Sequence, residues 1–250
     1  MDLEKVHDSV PLKNLWKALE HYNISNGIMR AMKRLYESSF SNIKIGKQLS
    51  SGFYVPKGLR QGCSLSLTLF KIYIQKALEN WQKKCARMGL EIQHTTIYVY
   101  SMLVADDRLL PAQDYEDLEY MTRKLIDEYE LWGLKLNIKI TEYMAIGDSS
   151  RDLQLEDGKG PISHVSEYVY LGIRITEDGN YEPEISDIIN KGRAAISKLN
   201  SILWDRDVTS KTKTHIYHAI VKSTITYAAE TSWLKAKTVA KLNSTEMDFW

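Results

Sequence analysis

The chain is poor in cysteine: Cys63 and Cys85 are its only two in 250 residues. Two thiols cannot build a disulfide framework or a four-cysteine zinc site. No run approaches the roughly 18 apolar residues that a membrane-spanning helix needs. The opening residues, Met1-Asp2-Leu3-Glu4-Lys5, are charged and hold no apolar signal core. Internal repeats and low-complexity linkers are also missing. These absences predict an intracellular protein, nuclear or cytoplasmic, with no membrane partner. What is present is core-forming composition. Hydrophobic residues make up 44% of the chain, which argues against wholesale disorder and allows one large domain or two small ones.

Net charge is only +1, but it is unevenly distributed. Residues 1–100 hold 15 Lys/Arg and 7 Asp/Glu, residues 101–180 hold 8 and 17, and residues 181–250 hold 10 and 8. A basic first part beside an acidic middle suits a polyanion-binding surface next to a metal site. Plain surface variation produces the same statistic.

Periodicity organises the chain into helices and short strands. After Pro11, Leu12, Leu15, Trp16, Leu19 and Tyr22 share one helical face, and Ile28, Met29, Met32, Leu35 and Tyr36 form a second stripe. Residues 43–56 read as short strands around a polar turn, Ser50-Ser51-Gly52. A glycine-bearing loop, 58–62, leads into a helix from about 65 to 88, buried through Leu69, Phe70, Tyr73, Ala77 and Trp81. Residues 97–100 read as a strand that Met102-Leu103-Val104 continue, with a return strand at Arg108-Leu109-Leu110. Asp114 is a candidate helix cap, and Gly133 ends that helix. Short strands fill 134–175, with turns at Asp148-Ser149, Asp157-Gly158 and Asp178-Gly179. From Pro183 the pattern turns helical, and Ser210 is a candidate cap for a later helix.

Asp106 and Asp107 fall between the two strands at 102–110, at the tip of a hairpin. Adjacent carboxylates repel, and the common reason to place them at the end of an apolar run is a hard divalent cation. In two-metal phosphoryl chemistry such groups hold ions that activate the attacking oxygen and stabilise the leaving one. A solvated turn is the plain alternative. Three further segments bear on the pair. Asp2 could supply the third carboxylate that bridges two ions, although a second residue commonly frays. Gly58-Leu59-Arg60-Gln61-Gly62-Cys63-Ser64 permits close backbone approach, with Arg60 and Gln61 able to meet phosphates or base edges. Residues 132–142 carry Lys139, of the type that neutralises charge on a transferring phosphate.

In order and wording these segments resemble the reverse transcriptase of non-LTR, LINE-like retrotransposons. Residues 2–11 resemble its D-L-x-K-A-F/Y-D-x-V motif, and residues 58–70 its G-V/L-R-Q-G-C-P-L-S-P-x-L-F motif. Ala105-Asp106-Asp107 matches the end of F/Y-A-D-D. Residues 132–142 are similar to W-G-L-K-I-N-x-x-K-T-E, and Tyr170-Leu171-Gly172 to the Y-L-G of the primer-grip hairpin. The resemblance covers nearly the whole chain. It implies an α+β fold: a right-hand polymerase palm, an antiparallel sheet with packed helices, over residues 1–180, lacking most of the fingers. A truncated helical thumb would follow over 181–250. It implies RNA-directed DNA polymerase activity with two Mg²⁺ ions, an RNA template, a DNA primer and dNTPs. Carried over by position, Asp2, Asp106 and Asp107 would be the catalytic metal ligands. His7, Arg60, Gln61, Gly62 and Lys139 would meet nucleotide and template. Tyr170, Leu171 and Gly172 would grip the primer.

Several positions depart from the pattern. His7 stands where the family has the aromatic plate that excludes a 2′-hydroxyl. Val104 replaces the aromatic before Ala-Asp-Asp, Ser64 and Leu67 replace prolines, and Ile140 takes the place of the lysine in K-T-E. Tyr227-Ala228-Ala229-Glu230-Thr231-Ser232-Trp233 resembles Y-G-x-E-T-W with one residue added. These changes, with the missing fingers and endonuclease, predict a decayed fragment inactive on its own. The competing expectation is a non-catalytic remnant that binds nucleic acid or protein.

Overall fold

The computed structural model describes residues 1–37, 40–86, 88–91, 98–99, 101–104, 107–147, 151–155, 159–231 and 236–247. They form an α+β protein of helices and short antiparallel strand pairs. Two compact units emerge: Met1–Tyr143 with Arg151–Ser163, and Met144–Ser150 with His164–Trp250. The division falls near residue 163, whereas the expected functional division is at 180. The hairpin of residues 167–176 packs on the helix Glu182–Leu203 and so belongs to the second unit.

The first unit is built on helices whose stripes the sequence announces. Leu12–His21 buries Leu12, Leu15, Ala18 and Leu19. Ser64–Lys84 buries Leu69, Phe70, Tyr73, Ala77 and Trp81. Tyr115–Leu131 starts where the Asp114 carboxylate accepts a 2.8 Å hydrogen bond from the Asp117 amide, satisfying one orphan donor of the first turn. The chain leaves this helix through Gly133, at φ +73°. The two longer helices are joined inside the core, where the Trp81 indole donates to the Met121 carbonyl at 2.8 Å.

A polar staple fixes Leu12–His21 to Ser64–Lys84. Tyr22 donates to one Glu79 oxygen at 2.6 Å, and Lys76 to the other at 2.6 Å. The Lys76 ammonium and the Tyr22 hydroxyl hold the Glu79 carboxyl down at about 2. Partial burial and the same carboxylate push Tyr22 up to about 12.

Several local expectations change. Ile28 and Leu35 are 56% and 38% exposed, because the buried stripe of Asn26–Glu37 runs through Met29, Met32 and Tyr36 only. The turn of the 40–54 hairpin is at Gly46-Lys47, between the paired Ile45 and Gln48. The returning strand instead holds one extra residue at Ser51-Gly52, since Lys44 pairs with Leu49 but Phe40 pairs with Tyr54. That shift of one is a β-bulge. Tyr98–Val99 does not continue into Met102–Val104; it pairs with Leu90–Glu91, and Met102–Val104 pairs with Asp107–Leu109. The expected residues Ile97 and Tyr100, and the turns at 148–149 and 157–158, lie outside the described residues.

In the second unit, Glu182–Leu203, Ser210–Ile216 and the following turns enclose Ile196, Tyr217, Val221 and Ile225. The helix expected to be capped by Ser210 is capped one residue earlier, where the Thr209 hydroxyl accepts from the Thr212 amide. Among the described residues no helix is long and apolar enough to cross a membrane.

Candidate active site

Asp2 lies in a strand held on both edges. On one side, Met1 and Arg108 exchange hydrogen bonds: the terminal ammonium donates to the Arg108 carbonyl at 2.9 Å, and the Arg108 amide donates to the Met1 carbonyl at 3.2 Å. Such an exchange defines an antiparallel pair, so the next residues along, Asp2 and Asp107, stand opposite one another. On the other side Leu3 bridges Leu136, with Asn137 donating to the Asp2 carbonyl and Glu4 to the Lys135 carbonyl, both at 2.9 Å. The frayed end expected of a second residue is therefore replaced by backbone pairing on both sides of residues 1–4. Asp107 is the first residue of the returning strand, paired with Val104. Asp106 lies outside the described residues.

Alternation along these strands separates two faces. Leu3, Leu136 and Arg108 are buried on the helix side, which leaves positions 2 and 107 together on the other face. Asp2 is only partly buried there, so water and ions can reach it.

Arg108 is the unexpected member of this strand. It is 4% exposed, its guanidinium lies 5.7 Å from the centre of the Tyr129 ring, and among the described residues none of its three nitrogens finds an acceptor. Burial lowers its affinity for a proton and pushes the Tyr129 phenol up to about 12. A charge without a partner at such a depth destabilises the fold.

The glycine loop docks on the segment after Asp2. The Leu59 amide donates to the His7 carbonyl at 2.7 Å and the Gly58 amide to the Val10 carbonyl at 2.8 Å. Gly58 sits at φ +93°, and a Cβ there would stand 3.0 Å from the Asp8 carbonyl oxygen, so no other residue fits without moving backbone. Gln61 Nε2 then donates to the Asp8 carboxylate at 3.2 Å. The Ser66 hydroxyl donates to the Arg60 carbonyl at 2.7 Å and ties the loop to the first turn of Ser64–Lys84. Arg60, Gln61 and Gly62 are exposed. The His7 ring lies 4.8 Å from that of Phe70.

Lys139 does not lie on a strand. Ile138–Ile140 is a single 3₁₀ turn. Lys139 and Ile140 are exposed. The turn is anchored to the Asp2 strand: Thr141 Oγ1 donates to the Asn137 carbonyl at 2.8 Å and receives the Asp2 amide at 3.5 Å.

Tyr170, Leu171 and Gly172 belong to the second unit. Tyr170 pairs with Ile173, and Leu171 and Gly172 form the two-residue turn with φ +50° and +81°. Two successive positive φ angles are the signature of a type I′ turn, whose twist suits an antiparallel pair.

A family model described as "Reverse transcriptase (RNA-dependent DNA polymerase)" matches residues 1–175. The chain belongs to the reverse transcriptase family. Similar proteins come from mobile elements. The uncharacterized 149 kDa protein of transposon TX1 from Xenopus laevis is 32% identical over 119 residues, 48% of this chain and 9% of that protein. The Pol polyprotein of the type-2 retrotransposable element R2DM from Drosophila melanogaster is 25% identical over 72% of this chain and 17% of its own length. The RNA-directed DNA polymerase of mobile element jockey from Drosophila funebris is 23% identical over 86% of this chain and 24% of its own length. The non-LTR, LINE-like resemblance stands, and this reverse transcriptase chain spans less than a quarter of each of these relatives.

Three residues of the reverse transcriptase chain gain weight that their sequence context did not give them. Asp8 holds Gln61; it was visible as the second acid of the first motif, without a role. Arg108 follows the Asp pair and reads as a surface charge until its burial is seen. Tyr227 donates to the Leu171 carbonyl at 2.7 Å, a contact across 56 residues that no local pattern signals.

Proposed function

We propose that the chain is the nucleotidyl-transfer palm of a retrotransposon reverse transcriptase, followed by part of its thumb. The observation that supports this most is the ladder that sets Asp2 across from Asp107 at the edge of the Asp106-Asp107 hairpin. Two-metal transfer needs carboxylates gathered at one edge of such a sheet. Asp2, Asp106 and Asp107 would hold two Mg²⁺ ions, which when bound would neutralise the charge that develops on the α-phosphate as the primer 3′-hydroxyl displaces pyrophosphate from the dNTP. The chain's own contribution is positioning. Asp8 orients Gln61, so that Arg60, Gln61 and Gly62 present an open, basic edge to template and nucleotide. The Phe70 ring backs His7 under the nucleotide sugar. Leu171 and Gly172 carry the primer-gripping turn.

The departures weigh on the chemical step rather than on the frame. An imidazole at position 7 is smaller than a phenyl ring and excludes a 2′-hydroxyl less well. Ile140 supplies no charge where the family has lysine. The second reading, a protein that binds metal and primer–template without extending it, is favoured by these residues. With poly(rA)/oligo(dT), Mg²⁺ and dTTP, the expected outcome is metal-dependent binding of the duplex without incorporation. Incorporation that disappears in Asp106→Asn would establish an active polymerase and remove the second reading. Absence of any metal-dependent binding would remove both.

A further inference from the structure

The turn of the 167–176 hairpin uses an unfavourable residue. Type I′ turns favour Asn, Asp or Gly at the first central position, because a Cβ clashes in the left-handed region. Leu171 occupies that position at φ +50° and is 38% exposed, so burial does not account for its conformation. Backbone strain of this kind persists only where surroundings over-determine it, and it gathers at functional sites.

The surroundings are Tyr227. Its hydroxyl donates to the Leu171 carbonyl at 2.7 Å. Its ring lies against Gly172, where an added Cβ would meet Cε1 at 3.6 Å and Oη at 3.8 Å. The stem of the hairpin is already fixed without it. The Arg174 amide donates to Glu184 at 2.7 Å, and its guanidinium pairs with Asp187 at 2.8 Å and Glu167 at 3.0 Å. Tyr227 therefore adds nothing the stem requires; what it fixes is the conformation of an exposed tip. Tyr227 is the opening residue of the segment similar to Y-G-x-E-T-W, to which the proposed function assigns no role.

We propose that Tyr227 is a positioning residue for the end of a nucleic-acid strand: it holds the Leu171–Gly172 turn in the one conformation that presents the tip to a recessed 3′ end. This rests on the reverse transcriptase reading of the hairpin. The tip offers the backbone and an apolar side chain, which suit a sugar–phosphate terminus read by shape rather than by base.

The test compares the wild-type chain with Tyr227→Phe, which keeps the ring and removes the hydroxyl. Hydrogen exchange follows the amides of residues 170–173. Fluorescence anisotropy follows binding to an RNA–DNA duplex with a recessed 3′ end and to a blunt duplex of equal length. Tyr227→Phe is expected to speed exchange at the turn and weaken recessed-end binding about five-fold, the worth of one neutral hydrogen bond, with blunt binding unchanged. Leu171→Asn, a residue suited to the turn, is expected to restore slow exchange at the turn in the Tyr227→Phe background. Unchanged exchange and recessed-end affinity in Tyr227→Phe, with a wild-type preference for recessed ends intact, would overturn the proposal alone. A wild-type chain that binds both duplexes equally would overturn the primer-end reading on which it rests.

Discussion

The two units hold their functional segments by different means. In the first, the Asp2 strand is laid between the returning strand of the Asp hairpin and residues 135–137 by backbone hydrogen bonds. Its apolar side closes on a continuous core that runs from Leu3 to Ile162. In the second, a smaller buried cluster of Ile196, Tyr217, Val221 and Ile225 supports the helices. The hairpin there is fixed by individual side chains, Arg174 at the stem and Tyr227 at the tip. A ladder backed by a core spreads its stabilisation over many groups and tolerates single changes. A tether is one interaction, and one substitution removes it. Under the proposed function, the first arrangement suits carboxylates whose spacing must not vary, and the second a turn that meets a mobile ligand.

Three substitutions or conditions probe this contrast, in order of expected size. Arg108→Leu removes the uncompensated charge from the first unit's core. The expected gain is roughly 1–3 kcal/mol, judged from replacements of buried charge by apolar side chains of similar volume, and a urea midpoint measures it. A loss of stability would mean that the guanidinium has an anionic partner and that the core is sound as it stands. Next is the staple at Glu79. Its folded pKa of about 2 lies below the ordinary value of 4.5, so its contribution is fully present above about pH 4.5 and disappears as pH falls toward 2. Because the carboxylate is partly exposed, that contribution is discounted to about 1 kcal/mol. Glu79→Gln should flatten the acid limb of stability against pH, and an unaltered limb would contradict the assignment. The smallest effect is in the second unit. Ala228 sits at φ +55°, where the similar family motif has glycine. Ala228→Gly should stabilise by about 0.5–1 kcal/mol, the left-handed penalty less the entropy glycine gains when unfolded. A melting midpoint that falls instead would show that the strain at 228 is absorbed by its neighbours.

Much of the frame is legible in the sequence where the signal is local. The stripe of Leu12, Leu15 and Leu19, the cap at Asp114 and the buried face from Leu69 to Trp81 each rest on spacing within a few turns. The misses have equally physical causes. Ile28 and Leu35 are apolar at helical spacing, but an apolar residue is not obliged to be buried. A bulge at Ser51-Gly52 uses the same small residues as a turn. Thr209 and Ser210 are both competent caps, and only geometry chooses between them. For the site, the order of the motifs shows the family, yet the register of Asp2 depends on partners more than 100 residues away. The burial of Arg108 is hidden for the same reason: its strand faces helices that the local sequence does not mention.

The central claim is that Asp2 stands across from Asp107 and completes a divalent-metal site. Binding of Mn²⁺, followed by electron paramagnetic resonance on the purified chain, tests it most directly. Asp2→Asn should weaken Mn²⁺ binding at least about tenfold, as loss of a ligand exceeds the effect of losing an outer-shell partner, while Glu20→Gln, an exposed carboxylate on the helix Leu12–His21, leaves it unchanged. Equal affinity in Asp2→Asn and the wild-type chain would contradict the account.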